Sequence, residues 1–361
     1  MNELEALLAL SFIPTFGGTK IRQMLKAFGS ASAAFQAEAK EIEELIGLTE
    51  KFDEAWESRK SNRSEKELAL AKSMGVKIIP FYSPLYPKRL SELWDAPLLL
   101  YVLGELKTED LNGIAIVGTR AASIYGLEMA EKFGKELAAS QVTVVSGLAR
   151  GIDTAAHVGA LKTGRTLAVI GSGLAHLYPP ENKKLAEEIA KKGAVISEFH
   201  LNALPEKYHF PMRNRIVSGI TRGTLLIEAP LKSGALITVK LARSQGKPVF
   251  ALPGRVDNEN FQGNHHLIKT GEAKLVENGS DVLSHFEDLF PATGKIEPLK
   301  KVHLDPEEQV FLNQWPSEEI TLETVEQLTK LPIKKINVLL MRLQLKQAVK
   351  EYPGKIYKKI A

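Results

Sequence analysis

The chain has no cysteine among its 361 residues, which excludes disulfides, thiolate zinc sites and cysteine nucleophiles. No apolar run approaches the ~20 residues that a membrane-crossing helix needs. The start, Met1-Asn2-Glu3-Leu4-Glu5, is acidic and leads to no small-residue cleavage site, so it does not read as a secretory signal. A cytoplasmic protein without membrane association is expected. A P-loop lysine motif is missing, which leaves ATP hydrolysis unsupported, and no serine stands in a nucleophile-elbow pattern. Metal ligands are sparse: Asp153 and His157 stand at i and i+4 without a third partner, and the side chains of His265 and His266 diverge. Neither a metal nor a cofactor is expected. Internal repeats and low-complexity tracts are also lacking.

What is present is ordinary in amount and uneven in placement. Hydrophobic residues at 44% and charged residues at 25% suit a folded chain, and the length predicts two or three domains. The net charge of +4 identifies no partner, but residues 330–361 hold nine Lys/Arg against Glu351 alone, a local +8 on a body of −4. A basic C-terminal module of this kind can bind nucleic acid; the alternative is a solvated lysine-rich end.

Three textures follow one another. Up to about residue 75 the chain reads as helices. Ile21, Met24, Leu25 and Phe28 form one apolar stripe, Gly29 stops that helix and Ser30 can cap the next. The turn Pro14 to Thr19 before it fits either a helix-hairpin-helix (SAM-like) unit, whose amides can hold a phosphate, or a plain bundle turn. From Val76 to about Pro291, short β-rich runs alternate with helical stretches such as Gly126–Ala139 and Lys183–Lys192. The runs are Val76–Ile79, Ile114–Val117, Val142–Val145, Leu167–Ile170, Ala194–Ile196, Thr224–Ile227 and Pro248–Leu252. Most are nearly all apolar, as strands buried on both faces must be, which predicts a parallel, doubly wound α/β sheet. A linker is expected over 291–300. A helix at Glu323–Lys330, a basic helix at Ile333–Leu345 and a hairpin around Pro353-Gly354 then fit a winged helix at 301–361.

In an open parallel sheet, ligands collect at the carboxyl ends of the strands. Here those ends read Gly118-Thr119-Arg120, Ser146-Gly147-Leu148-Ala149-Arg150-Gly151-Ile152-Asp153, Gly171-Ser172-Gly173 and Ser233-Gly234. Tight βα turns need glycine anyway, yet several such loops on one rim predict an anion site. The anion is not read as a dinucleotide, because the turn after Val117 lacks the three-glycine fingerprint. The densest cluster, Lys207-Tyr208-His209-Phe210-Pro211-Met212-Arg213-Asn214-Arg215, mixes three cations, three rings and an amide. Cations can track a phosphate backbone while a ring stacks on an unpaired base. The alternative puts Phe210 in the core and the arginines in ion pairs with Glu198 or Glu228.

These loops resemble the DNA-processing protein A (DprA, or Smf) family. The resemblance rests on Gly113–Arg120, Ser146–Asp153, Pro211–Val217 and Ser233–Thr238, with Tyr86–Leu90 and Phe261–Asn264 in support, in family order over nearly the whole chain. It implies an extended Rossmann-like domain, 76–290, that binds single-stranded DNA without cutting it and dimerises. It further implies protection of incoming strands in natural transformation, loading of the RecA recombinase and displacement of single-strand-binding protein. The family's pocket residues match Arg120, Lys207 and Phe210, and its phosphate loop matches Gly171-Ser172-Gly173. Arg150, Arg213, Asn214 and Arg215 are further candidate DNA contacts from the loop and cluster themselves, although Arg213 and Arg215 point in different directions on any helix, so that one of them can be structural. The stretch from Gln344 to Ala348 departs from the family in lacking a glycine often found there. The competing class is a nucleotide hydrolase of the lysine-decarboxylase-like group. There a glutamate acts on the sugar bond, but Thr238 and Lys240 occupy the corresponding positions here.

Overall fold

The computed structural model describes residues 1–14, 16–47, 52–286, 304–316, 318–346, 348–352 and 354–360. The expected linker at 291–300 lies outside them. The chain divides into two compact units, Met1–Ala292 and Thr293–Ala361.

The first unit is built on nine strands: β1 Val76–Pro80, β2 Leu99–Gly104, β3 Ile114–Val117, β4 Val144–Ser146, β5 Thr166–Val169, β6 Ala194–Ser197, β7 Gly223–Leu226, β8 Val249–Ala251 and β9 Lys274–Leu275. Their order is β1-β2-β6-β5-β4-β3-β7-β8-β9. From β6 to β9 every pairing is parallel, so these strands end on one rim and begin on the other, where the exposed Ser140-Gln141 turn lies. The expected parallel, doubly wound sheet is present, with one antiparallel strand within it. Strand β2 runs antiparallel to both β1 and β6. The continuous apolar run of β3 reflects burial on both faces. Ile114 and Ile116 meet Phe133 and Ile152 of the helices Ile124–Ala139 and Ile152–Thr163. Ala115 and Val117 face the layer of Ile216 and Val239, from the helices His209–Ile220 and Ala235–Ser244.

The N-terminal helices do not form a core of their own. Leu7, Leu8, Met24 and Trp56 share one hydrophobic cluster with Tyr101, Ile170, Leu174 and Leu201 of the sheet and its loops. Local signals are followed closely: the helix Gly18–Phe28 ends at Gly29 with φ 79°, and the Ser30 side chain accepts from the Ala33 amide.

The second unit has helices Pro306–Asn313, Leu322–Thr329 and Ile333–Leu345, and strands β10 Ile320–Thr321, β11 Val349–Tyr352 and β12 Ile356–Lys359 paired antiparallel as β10-β12-β11. Leu339, Leu340 and Leu343 point inward against Phe311 and Val325. Lys335 and Lys346 pair with Glu307 and Glu308 within the unit. Among the described residues no helix is long and apolar enough to cross a membrane.

Candidate nucleic-acid interface

The carboxyl rim of β3, β4 and β7 opens into a cleft of about 790 Å³. Gly118, Thr119 and Arg120 follow β3, Gly147 follows β4, and Lys232-Ser233-Gly234 lead into the helix Ala235–Ser244, whose Thr238 also lines the space. The far wall comes from the segment between β6 and the helix His209–Ile220, with Pro205 and Lys207, and from Phe210 and Asn214 of that helix. The glycines are matched to close neighbours, the Ile152 side chain at Gly118 and the Arg213 side chain at Gly147. A Cβ on Gly118 would lie 2.9 Å from the Glu228 carbonyl oxygen, and one on Gly147 would lie 2.5 Å from the Arg213 guanidinium.

The recognition chemistry of the cleft lies in its side chains. The Arg120 guanidinium lies 5.2 Å from the centre of the Phe210 ring, and the Tyr178 ring flanks Phe210 at 5.8 Å. Arg120 and Lys207 are exposed, and with Lys232 they make no ion pair among the described residues. An unpaired cation beside an accessible ring can hold a phosphate and a base together. Several rim amides and hydroxyls, by contrast, are already engaged. The Thr119 amide donates to the Glu228 carbonyl at 2.7 Å, the Gly147 amide to Asp153 at 3.1 Å and the Ser146 hydroxyl to the Ile116 carbonyl at 2.6 Å. At the Ser233-Gly234 turn the Ser233 hydroxyl accepts from the Ala235 amide at 3.2 Å, and nothing stands within 4 Å of a Cβ built on Gly234.

Three of the expected contacts are therefore corrected. Arg213 touches the cleft wall but is 4% exposed, and its guanidinium donates to the carbonyls of Gly147 and Val169, tying β4 to β5. Burial pulls its pKa down to about 10, with Asp153 opposing the shift, so it stays charged at neutral pH. Burial likewise pushes the Asp153 carboxyl up, against the pull of Arg213. Arg215 points to the other side of the helix, pairing with Glu198 and, at 3.4 Å, with Asp95. Positions 213 and 215 are about 200° apart on a helix, so they could not share a ligand. The third is the Gly171-Ser172-Gly173 loop, buried under other residues. A Cβ on Gly171 would meet the Phe210 ring at 2.9 Å, and one on Gly173 would collide with the carbonyl oxygens of His200 and Leu201.

Arg150 is exposed, ion-paired with Glu181, and lines a small recess with Tyr178 and Phe210 beside the cleft. Glu228 takes no arginine; it accepts from Ser123 and Asn260. His157 turns to Thr166 at 2.7 Å, and among the described residues no group of three His, Asp or Glu could hold a metal. Tyr178, Pro205, Lys232 and Thr238 line the cleft without having been singled out as ligands. Lys232 directly precedes Ser233 and was findable by adjacency; Tyr178 lies in a loop with no pattern to mark it.

A doubly wound, mostly parallel sheet with a basic, ring-lined cleft on its carboxyl rim defines a Rossmann-like protein. The model of one family, DNA recombination-mediator protein A, matches residues 77–287. The chain belongs to that family. It is 47% identical over 203 residues to the DNA processing protein DprA of Streptococcus pneumoniae, an alignment covering 56% of this chain and 71% of that one. The X-ray structure of the Streptococcus pneumoniae protein superposes with a TM-score of 0.69 at 36% identity, covering 79% of this chain and 98% of that chain. DNA processing protein A of Helicobacter pylori, solved for its single-stranded DNA binding mode, superposes with a TM-score of 0.54 at 30% identity over 60% of this chain and 97% of that one.

Proposed function

We propose that the protein is a single-stranded DNA-binding recombination mediator that acts without catalysis. The observation that carries this reading is the pairing of Arg120 with the Phe210 ring in a cleft also lined by Lys207 and Lys232. A phosphodiester gives the cations their partner, and a base unstacked from its neighbours gives the ring its own; a duplex offers only the first. The Helicobacter pylori relative's single-stranded DNA binding mode supports the same choice. The hydrolase reading lacks a free carboxylate. Among the described residues lining the cleft, Asp153 is the one acid, and it is buried and bonded to the amides of Gly147 and Ala149.

Family membership supports a wider role: protecting incoming strands in natural transformation, handing them to RecA while displacing single-strand-binding protein, and working in the cytoplasm as a homodimer. The chain is then organised as a helical region to residue 75, the Rossmann-like domain over 76–290 and a winged helix over 301–361. Binding of a labelled oligonucleotide, single-stranded against duplex of equal length across a salt series, tests the core of this reading. Single strands should bind more tightly, with affinity falling as salt rises. Equal or stronger binding to duplex would remove the cleft as the main site.

A further inference from the structure

Lys207 stands on the segment joining β6 to the helix His209–Ile220, and that segment is anchored by residues that do not line the cleft. Its residue Leu201 is fully buried, and the side chain lies in the cluster built mainly from the N-terminal helices. The Leu201 amide donates at 2.7 Å to the carboxylate of Glu67, on the N-terminal helix Arg63–Met74. Next to it, the His200 ring stacks on Phe12 with centroids 3.8 Å apart and planes 12° from parallel. The edge of His200 is held by Tyr101 of β2, whose hydroxyl lies 2.9 Å from Nδ1. Glu67 lies 3.7 Å from the same Nδ1 and is 6% exposed. From beneath, Gly173 donates its amide to the Ala203 carbonyl at 2.8 Å and Ala175 its own to the Leu201 carbonyl at 3.0 Å. The segment is thus clamped between two parts of the molecule only a few residues before it delivers Pro205, Lys207 and Phe210 to the cleft wall.

Neither Glu67 nor Phe12 lines the cleft. A buried carboxylate is costly unless it is paired and hydrogen-bonded, and Glu67 finds its partners in the Leu201 amide and the His200 ring of this segment. We infer that Glu67 and Phe12 of the N-terminal helices are positioning residues for the DNA cleft, holding His200 and Leu201 so that Lys207 and Phe210 are presented together. This inference rests on the single-strand reading of the cleft. It makes the N-terminal helices part of the binding machinery, so that anything loading those helices changes affinity at the rim.

The test uses the full chain and a labelled oligothymidine. Glu67→Ala removes the acceptor and should weaken binding roughly tenfold, equivalent to a segment ordered about one time in ten. The slope of affinity against salt should stay at the wild-type value, because no phosphate contact has been lost. Glu67→Gln keeps an oxygen for the Leu201 amide and should restore most of the affinity. Hydrogen exchange of amides 199–208 should accelerate in Glu67→Ala, while that of β3 to β5 stays unchanged. Should Glu67→Ala fail to fold, Phe12→Leu keeps the apolar volume, removes the stack on His200 and should weaken binding with the same unchanged slope. Wild-type affinity in Glu67→Ala, or equal losses in the Ala and Gln variants, would overturn the inference. Failure of the wild-type protein to prefer single strands would instead overturn the reading beneath it, so the two failures are distinguishable.

Discussion

At the scale of single residues, charge and ring make separable contributions. Arg120→Ala and Lys207→Ala each remove an exposed cation and should lower the salt slope of binding by about one unit, with the fold intact. Phe210→Ala should cost about 1–3 kcal/mol of affinity and leave the slope as it was. Titrations at four salt concentrations decide this, and a slope that falls with Phe210→Ala would contradict it. A second residue governs behaviour in acid. Burial, with Arg213 nearby, drives the His157 pKa from 6.5 to about 3. Between those values the unfolded chain takes a proton that the folded chain refuses, so stability should fall with pH by up to about 1.4 kcal/mol per unit. The raised pKa of Asp153 acts in the opposite sense. Comparing wild type with His157→Gln cancels it: the urea midpoint should fall less between pH 7 and pH 5 in the variant, and parallel curves would refute the assignment. Which arginine lies open at the cleft and which is tied into the fold is only half legible in the sequence. Spacing separates positions 213 and 215, but the reach of Arg213 to two strand ends depends on contacts distant in sequence.

At the scale of elements, the loop glycines make different demands. Gly173→Ala pushes a methyl against the carbonyl oxygens of His200 and Leu201 and should cost about 1–3 kcal/mol of stability, as overpacking does. Because the same carbonyls belong to the Lys207 segment, single-strand affinity should fall with it. Gly234→Ala, with open space at its Cβ and φ −60°, should leave stability unchanged. Thermal melts and binding of the two variants separate these outcomes, and an indifferent Gly173→Ala would show that the loop can yield. Elements with a strong period were readable from the chain alone: the helices Lys183–Lys192 and Ile333–Leu345 fall where their apolar spacing put them. Strand β2 was not, although Leu98 to Leu103 is wholly apolar, because Pro84, Pro87 and Pro97 gave the region the look of a connection. Its antiparallel direction is a property of pairing, which no single strand encodes.

At the scale of the whole molecule, the +8 of residues 330–361 and the cleft belong to different compact units. Ending the chain after Pro298 should therefore keep most of the single-strand affinity, whereas the Arg120→Ala, Lys207→Ala double variant should lose it. The reverse ranking would move the function to the C-terminal unit. Charge along the sequence drew attention to that end, but it could not show that Lys335 and Lys346 spend their charge on Glu307 and Glu308. The one-way run of strands from β6 to β9 carries a further consequence. With the cleft on the rim where they end, the Ser140-Gln141 turn on the rim where they begin offers an attachment point. A cysteine placed at Ser140 would be the sole thiol of the chain, able to carry a fluorophore or tether the molecule to glass with its cleft facing the solution.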